Sequence, residues 1–120
     1  MPSYQWIQHK GKRILYMDIA VQTTEELIDI TERIKPVIER EPPHSILCLC
    51  NVKGSRFNTE ITQVLKEFTK HNEPYMYMTA LLGVEGLKKV IYDAVLMFTR
   101  RKNLVLKNSR EEALDWLAEQ

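Results

Sequence analysis

The residues with the most chemical reach are Cys48, Cys50, Ser55, the histidines His9, His44 and His71, and the cations Lys88 and Lys89. Thiolates on one face of a strand can share a zinc ion, but a closed site takes about four ligands. The three histidines stand at no paired spacing with each other or with the cysteines, so Cys48 and Cys50 read as small core side chains and no metal or cofactor is expected. His71, in a helix-ending turn before Asn72, reads as a C-terminal cation for its helix dipole. Ser55 follows Gly54 but lacks the flanking glycines of a nucleophile elbow, and no base stands near it in the sequence. Asp18 and Asp93 have no second carboxylate at a useful spacing. Gly83-Val84-Glu85-Gly86 is too short and too acidic for a dinucleotide or phosphate loop. No catalytic residue is assigned, and the chain is not expected to be an enzyme.

The cations are more informative. Arg100-Arg101-Lys102 could meet nucleic acid or lipid headgroups, but no aromatic residues interleave with them, and three charges at a helix end serve the dipole. Lys88 and Lys89 fall in the first turn of a helix, where cations oppose the dipole by some tenths of a kcal/mol each. An anion bound at that turn would account for them.

The elements that would position these residues are plain. Ser45-Ile46-Leu47-Cys48-Leu49-Cys50, between Pro42-Pro43 and the loop Asn51 to Asn58, has no polar face and reads as a strand buried on both sides. Before it, Tyr4 to Gln8 and Arg13 to Asp18 form a hairpin about His9-Lys10-Gly11-Lys12. Thr23 and Glu26 form a capping box for a helix with Leu27, Ile30, Ile34 and Ile38 on one face, running to about Arg40 with a kink or early end near Lys35 imposed by Pro36. After the buried strand, Asn58 caps a helix with Ile61, Val64, Leu65 and Phe68 in a stripe, closed by Lys70 to Pro74. Tyr75 to Leu82 is the next strand. Gly83 to Gly86 turns into a third helix carrying Leu87, Val90, Ile91, Ala94, Val95 and Phe98. A short strand at Leu104 to Leu106 comes next, and Ser109 with Glu112 forms a second capping box for a helix through Leu114 and Leu117. The order β-β-α-β-α-β-α-β-α predicts an α/β fold: a mainly parallel sheet of about five strands, an antiparallel N-terminal hairpin and about four helices.

A chain of 120 residues is one domain, 1–120, able to bury its own core. Seventeen basic and sixteen acidic side chains nearly cancel, so no global field draws it to nucleic acid or an anionic membrane. The N-terminus lacks the pattern of a signal peptide, and no apolar run approaches the roughly 20 residues of a membrane span. A cytoplasmic location and no integral membrane segment are expected. Cys48 and Cys50, two apart on a strand, suit a reducing compartment.

Gly11-Lys12-Arg13-Ile14-Leu15-Tyr16-Met17-Asp18, Lys70-His71-Asn72-Glu73-Pro74, Gly83 to Lys89 and Glu112-Ala113-Leu114-Asp115-Trp116-Leu117 resemble the bacterial SpoIIAA-like group. That group is related to STAS domains and grouped with Sec14-like lipid-binding domains. The resemblance spans nearly the whole chain. It implies a non-enzymatic switch in which a Ser or Thr at the start of the helix after the central strand is phosphorylated and controls docking to a partner protein. In place of the group's Asp-Ser-Ser-Gly-like sequence this chain has Lys53-Gly54-Ser55-Arg56-Phe57-Asn58-Thr59, so Ser55 and Thr59 take the matching positions. The Sec14-like side of the resemblance implies an apolar pocket, for which Phe57, Met76, Met78, Met97 and Phe98 are the candidates.

The expected function is therefore a regulatory or binding module acting through one sheet edge, at the starts of the second and third helices. Its anion- or partner-binding residues would be Ser55, Arg56, Asn58, Thr59, Gly83, Gly86, Lys88 and Lys89, with Glu85 opposing the cations. A carrier of a small apolar or lipid-like ligand is the alternative, and a small hydrolase or transferase the third reading. The partner would be a regulatory protein or a small anionic or apolar ligand, with self-association into a homo-oligomer open to test.

Overall fold

The computed structural model describes residues 2–84 and 103–120. Its elements are β1 (Ser3–His9), β2 (Lys12–Asp18), α1 (Thr24–Glu39), β3 (Ile46–Asn51), α2 (Thr59–Asn72), a 3-10 turn (Glu73–Tyr75), β4 (Met76–Leu82), β5 (Leu104–Lys107) and α3 (Arg110–Ala118). The expected third helix lies outside the described residues, so α3 is the helix expected fourth.

Five strands form one sheet in the order β1-β2-β3-β4-β5. Among the described strands only the β1–β2 pair is antiparallel. Lys10 and Gly11, both at positive φ (51° and 81°), make the two-residue turn whose twist matches that of the flanking strands. From β2 onward the chain crosses the sheet in one direction. Right-handed crossovers then put α1 and α2 on the same face, and α3 covers the other.

β3 shows why. All five residues Ile46 to Cys50 are buried. Ile46, Cys48 and Cys50 join the cluster beneath α1 and α2, which also holds Leu27, Ile34, Ile61 and Phe68. Leu47 and Leu49 join the second cluster, with Ala113 and Leu117 of α3. A strand packed on both faces has no polar alternation to offer.

The helix caps form where the side chains specify them. Thr23 and Glu26 make both halves of the capping box on α1, and Asn58 Oδ1 accepts from Ile61 N at 2.8 Å on α2. The Ser109 box is half made: Glu112 N donates to Ser109 Oγ at 3.1 Å, while the Glu112 carboxylate turns to Lys107 Nζ at 3.9 Å. The early end expected near Lys35 does not occur, since α1 runs through Pro36 to Glu39. Pro36 and Glu32 are both exposed, so the carbonyl that loses its partner can be hydrated, and the fully buried Ile34 and Ile38 anchor the turn on either side.

A register shift separates β3 from β4. Ile46 pairs with Met76 but Leu47 pairs with Met78, leaving Tyr77 as the extra residue, 46 % exposed. A bulge of this kind inverts the facing of the strand residues before it relative to those after it.

Candidate functional site

The carboxyl ends of β3, β4 and β5 lie side by side because these strands are parallel and adjacent. Their exits enclose a cleft of about 320 Å³. Asn51 and Lys53 come from the end of β3, Leu82, Gly83 and Val84 from the end of β4, and Lys107, Asn108, Ser109 and Arg110 from the β5–α3 junction. Strand order never reverses across this sheet, so there is no switch-point crevice of the doubly wound kind. Asn108 and Ser109, which line the cleft, connect β5 to α3 on the second face.

Three cations line it, Lys53, Lys107 and Arg110, and among the described residues none of the lining side chains is a carboxylate. Two of them are positioned by aromatic rings. Arg110 Cζ stands 4.6 Å from the centre of the Tyr16 ring, and Lys107 Nζ 5.2 Å from that of Trp116. Such contacts orient a cation without neutralising it, and the single ion pair among the described residues here, Lys107 to Glu112 at 3.9 Å, is long. Beneath them Asn51 Nδ2 donates to the Tyr16 hydroxyl at 3.1 Å, and Asn51 Oδ1 accepts from Lys53 N at 2.9 Å. One asparagine thus links the floor of the cleft to its Lys53 wall.

Of the expected anion-binding residues, Gly83 lines the cleft. Its φ is +87°, and a Cβ there would lie 2.4 Å from Lys53 Cα, so the β3 and β4 exits touch through backbone. Ser55 is 5 % exposed. Its Oγ accepts from Val21 N at 3.0 Å and faces the carbonyls of Val21 and Arg56, each at 3.2 Å. Arg56 N donates to Val21 O at 2.7 Å, so this loop is clasped to the β2–α1 connection. Arg56, Asn58 and Thr59 are exposed, with Asn58 committed to its cap and Thr59 opening α2. Gly86, Lys88 and Lys89, with Glu85, Asp93 and the run Arg100 to Lys102, lie outside the described residues, as do Met97 and Phe98.

The candidate apolar pocket is divided by the bulge. Met76 belongs to the first core cluster, with Phe57 packed against it, whereas Met78 packs on the second. Cys48 and Cys50 share the first face as alternation requires, and neither is in a disulfide. Among the described residues no group of three or more His, Cys, Asp or Glu gathers for a metal ion, and no helix is long and apolar enough to cross a membrane. His71 pairs through Nε2 with Glu39 at 2.7 Å, tying α2 to α1, and Asp18 Oδ1 accepts from Ala20 N at 3.1 Å.

Lys53, Lys107, Asn108 and Arg110 escaped the sequence reading. A signal was present: Lys107-Asn108-Ser109-Arg110 begins on the last residue of the last parallel strand, whose carboxyl end must reach the same edge as the others.

No protein-family model and no curated protein matches the sequence. Among solved structures the chain is similar to an uncharacterized protein of the DUF3478 family with a SpoIIAA-like fold from Shewanella loihica PV-4. The TM-score is 0.71 at 15 % identity, over 97 % of this chain and 93 % of that one. The protein therefore has the SpoIIAA-like fold. At this identity the likeness carries the fold and no residue's role.

Proposed function

We propose that the protein is a non-enzymatic, STAS-like binding module whose working surface is the cleft at the carboxyl edge of β3, β4 and β5, and that it recognises a phosphate or carboxylate group on a small ligand or a partner protein. The observation that carries this is the convergence of Lys53, Lys107 and Arg110 on one cleft, with no carboxylate lining it among the described residues. A volume of about 320 Å³ suits a small ligand or one charged side group. A binding role is the reading that the lining supports best, since its described side chains are cations, amides, a hydroxyl and apolar groups. The division of Met76 from Met78 weighs against a lipid carrier built on those side chains.

The test is a titration with inorganic phosphate and with phosphoserine, followed through backbone amides by NMR. Shifts should concentrate at residues 51–53, 82–84 and 107–110. Arg110→Ala and Lys107→Ala should each weaken binding on the order of tenfold, the worth of one charge-assisted hydrogen bond. Added salt should weaken it further. Shifts confined to other residues, or unchanged binding in the double variant, would refute the reading.

A further inference from the structure

β1 is an outer strand of the sheet and pairs with β2 alone. Among the described residues no backbone hydrogen bond reaches its other side. Edge strands are ordinarily guarded by charge, proline, a bulge or shortness. β1 has none of these guards. It is seven residues long, pairs with β2 at all seven positions without a register break, and contains no Pro, Asp, Glu, Lys or Arg. The other outer strand, β5, has four residues and ends in Lys107.

The turn determines which backbone groups of β1 face outward. A two-residue hairpin closes on a hydrogen-bonded pair, here His9 and Lys12. By alternation Ser3, Gln5 and Ile7 also direct their N–H and C=O groups at β2, and Tyr4, Trp6 and Gln8 direct theirs away from the sheet.

We infer that this edge is the interface of a homodimer, in which the β1 strands of two copies pair antiparallel about a two-fold axis at Trp6. Tyr4 of each copy then stands opposite Gln8 of the other, and Trp6 opposite its own equivalent. All three outward residues are matched by residues of the same strand. Each pair exchanges two hydrogen bonds, giving about six in all. The intervening positions set Gln5 opposite Ile7 and Ser3 opposite His9, so no like charges meet. Tyr4, 38 % exposed in the single copy, is covered by the second. Because β1 carries no Asp, Glu, Lys or Arg, it meets no like charge in its own copy and presents none that would select a charged peptide, which is why the occupant is a second copy. Pairing consumes the long unguarded edge of both chains, so assembly closes at two and forms one ten-stranded sheet.

The test uses the full chain in sedimentation velocity from about 10 μM to about 1 mM, a range that reaches weak dimers. A concentration-dependent dimer is expected. In that dimer the amides of Tyr4, Trp6 and Gln8 exchange more slowly than in dilute protein, while those of Gln5 and Ile7 are protected at both concentrations. Gln8→Pro removes an outward donor without touching the β1–β2 ladder, so the variant should keep its far-ultraviolet circular dichroism. It should dimerise on the order of tenfold to a hundredfold more weakly, from the loss of two symmetry-related hydrogen bonds. If Gln8→Pro does not fold, the exchange pattern of the unaltered chain decides alone. A monomer throughout the range overturns the inference, as does a dimer with Tyr4, Trp6 and Gln8 still exchanging freely.

Discussion

The backbone of Lys53 is the surface against which Gly83 turns: a Cβ on Gly83 would stand 2.4 Å from both the Cα and the N of Lys53. Two penalties therefore meet at one residue, the left-handed φ of +87° and a collision with backbone that cannot rotate away. Gly83→Ala should cost about 2 to 5 kcal/mol, from the left-handed strain and the overpacking together. Gly11 is the control. Its φ is +81° but a Cβ there meets nothing within 4 Å, so Gly11→Ala should cost only about 1 to 2 kcal/mol. Urea unfolding of the two variants measures the difference, and equal costs would mean that the β3 and β4 exits are not in contact.

The Ser55 hydroxyl is a structural clasp. Ser55→Ala leaves the Val21 N–H without its acceptor and should cost about 1 to 3 kcal/mol. Ser55→Asp, which places a charge at a position 5 % exposed, should cost more. Thr59→Asp sits on the exposed first turn of α2, where a negative charge suits the dipole, and should be neutral or stabilising by up to about 1 kcal/mol. Thermal melts of the three variants separate these cases. A modification that left the fold intact at this loop would accordingly fall on Thr59, and a tolerated Ser55→Asp would reverse that assignment.

The fold was legible wherever a local signal and the tertiary structure agree. Thr23 with Glu26, the Asn58 cap and the unbroken apolar run of β3 each specify an element by themselves. Pro36 misled because its effect depends on which way it faces, and burial of Ile34 and Ile38 outweighs one missing hydrogen bond. The bulge at Tyr77 was invisible because Met76-Tyr77-Met78 alternates as any strand does. Only pairing with β3 reveals that Met76 and Met78 face opposite layers.

The candidate site was half legible for a similar reason. Parallel strands joined through helices must send their carboxyl ends to one edge, so the edge itself was implied by element order. Which loops meet there depends on strand order and on the path into α3, both long-range. Lys107 and Arg110 gain their places from Trp116 and Tyr16, residues remote from them in sequence or on another layer, and no spacing encodes that.

His9 and Lys10 of the hairpin bind α3 through one carboxylate. His9 Nε2 lies 2.7 Å and Lys10 Nζ 3.1 Å from Asp115 Oδ1. The hydrogen bond from His9, then that from Lys10, holds the Asp115 carboxyl below its ordinary 3.8. A carboxylate whose folded pKa is depressed contributes stability that is fully present above that ordinary value and is lost as pH falls through the folded one. The pair is solvent-screened, so the contribution is small and salt-sensitive. Asp115→Asn should therefore melt below the unaltered protein at neutral pH. The gap should narrow as pH falls below 3.8 and close once the native carboxyl is protonated. Amide exchange at Lys10 and Gly11 should quicken in the variant, because the turn has lost its anchor on α3. Melts across a pH series at low and high salt make the measurement; an equal gap at neutral and acid pH would mean that packing of the side chain, and not its charge, joins the hairpin to the helix.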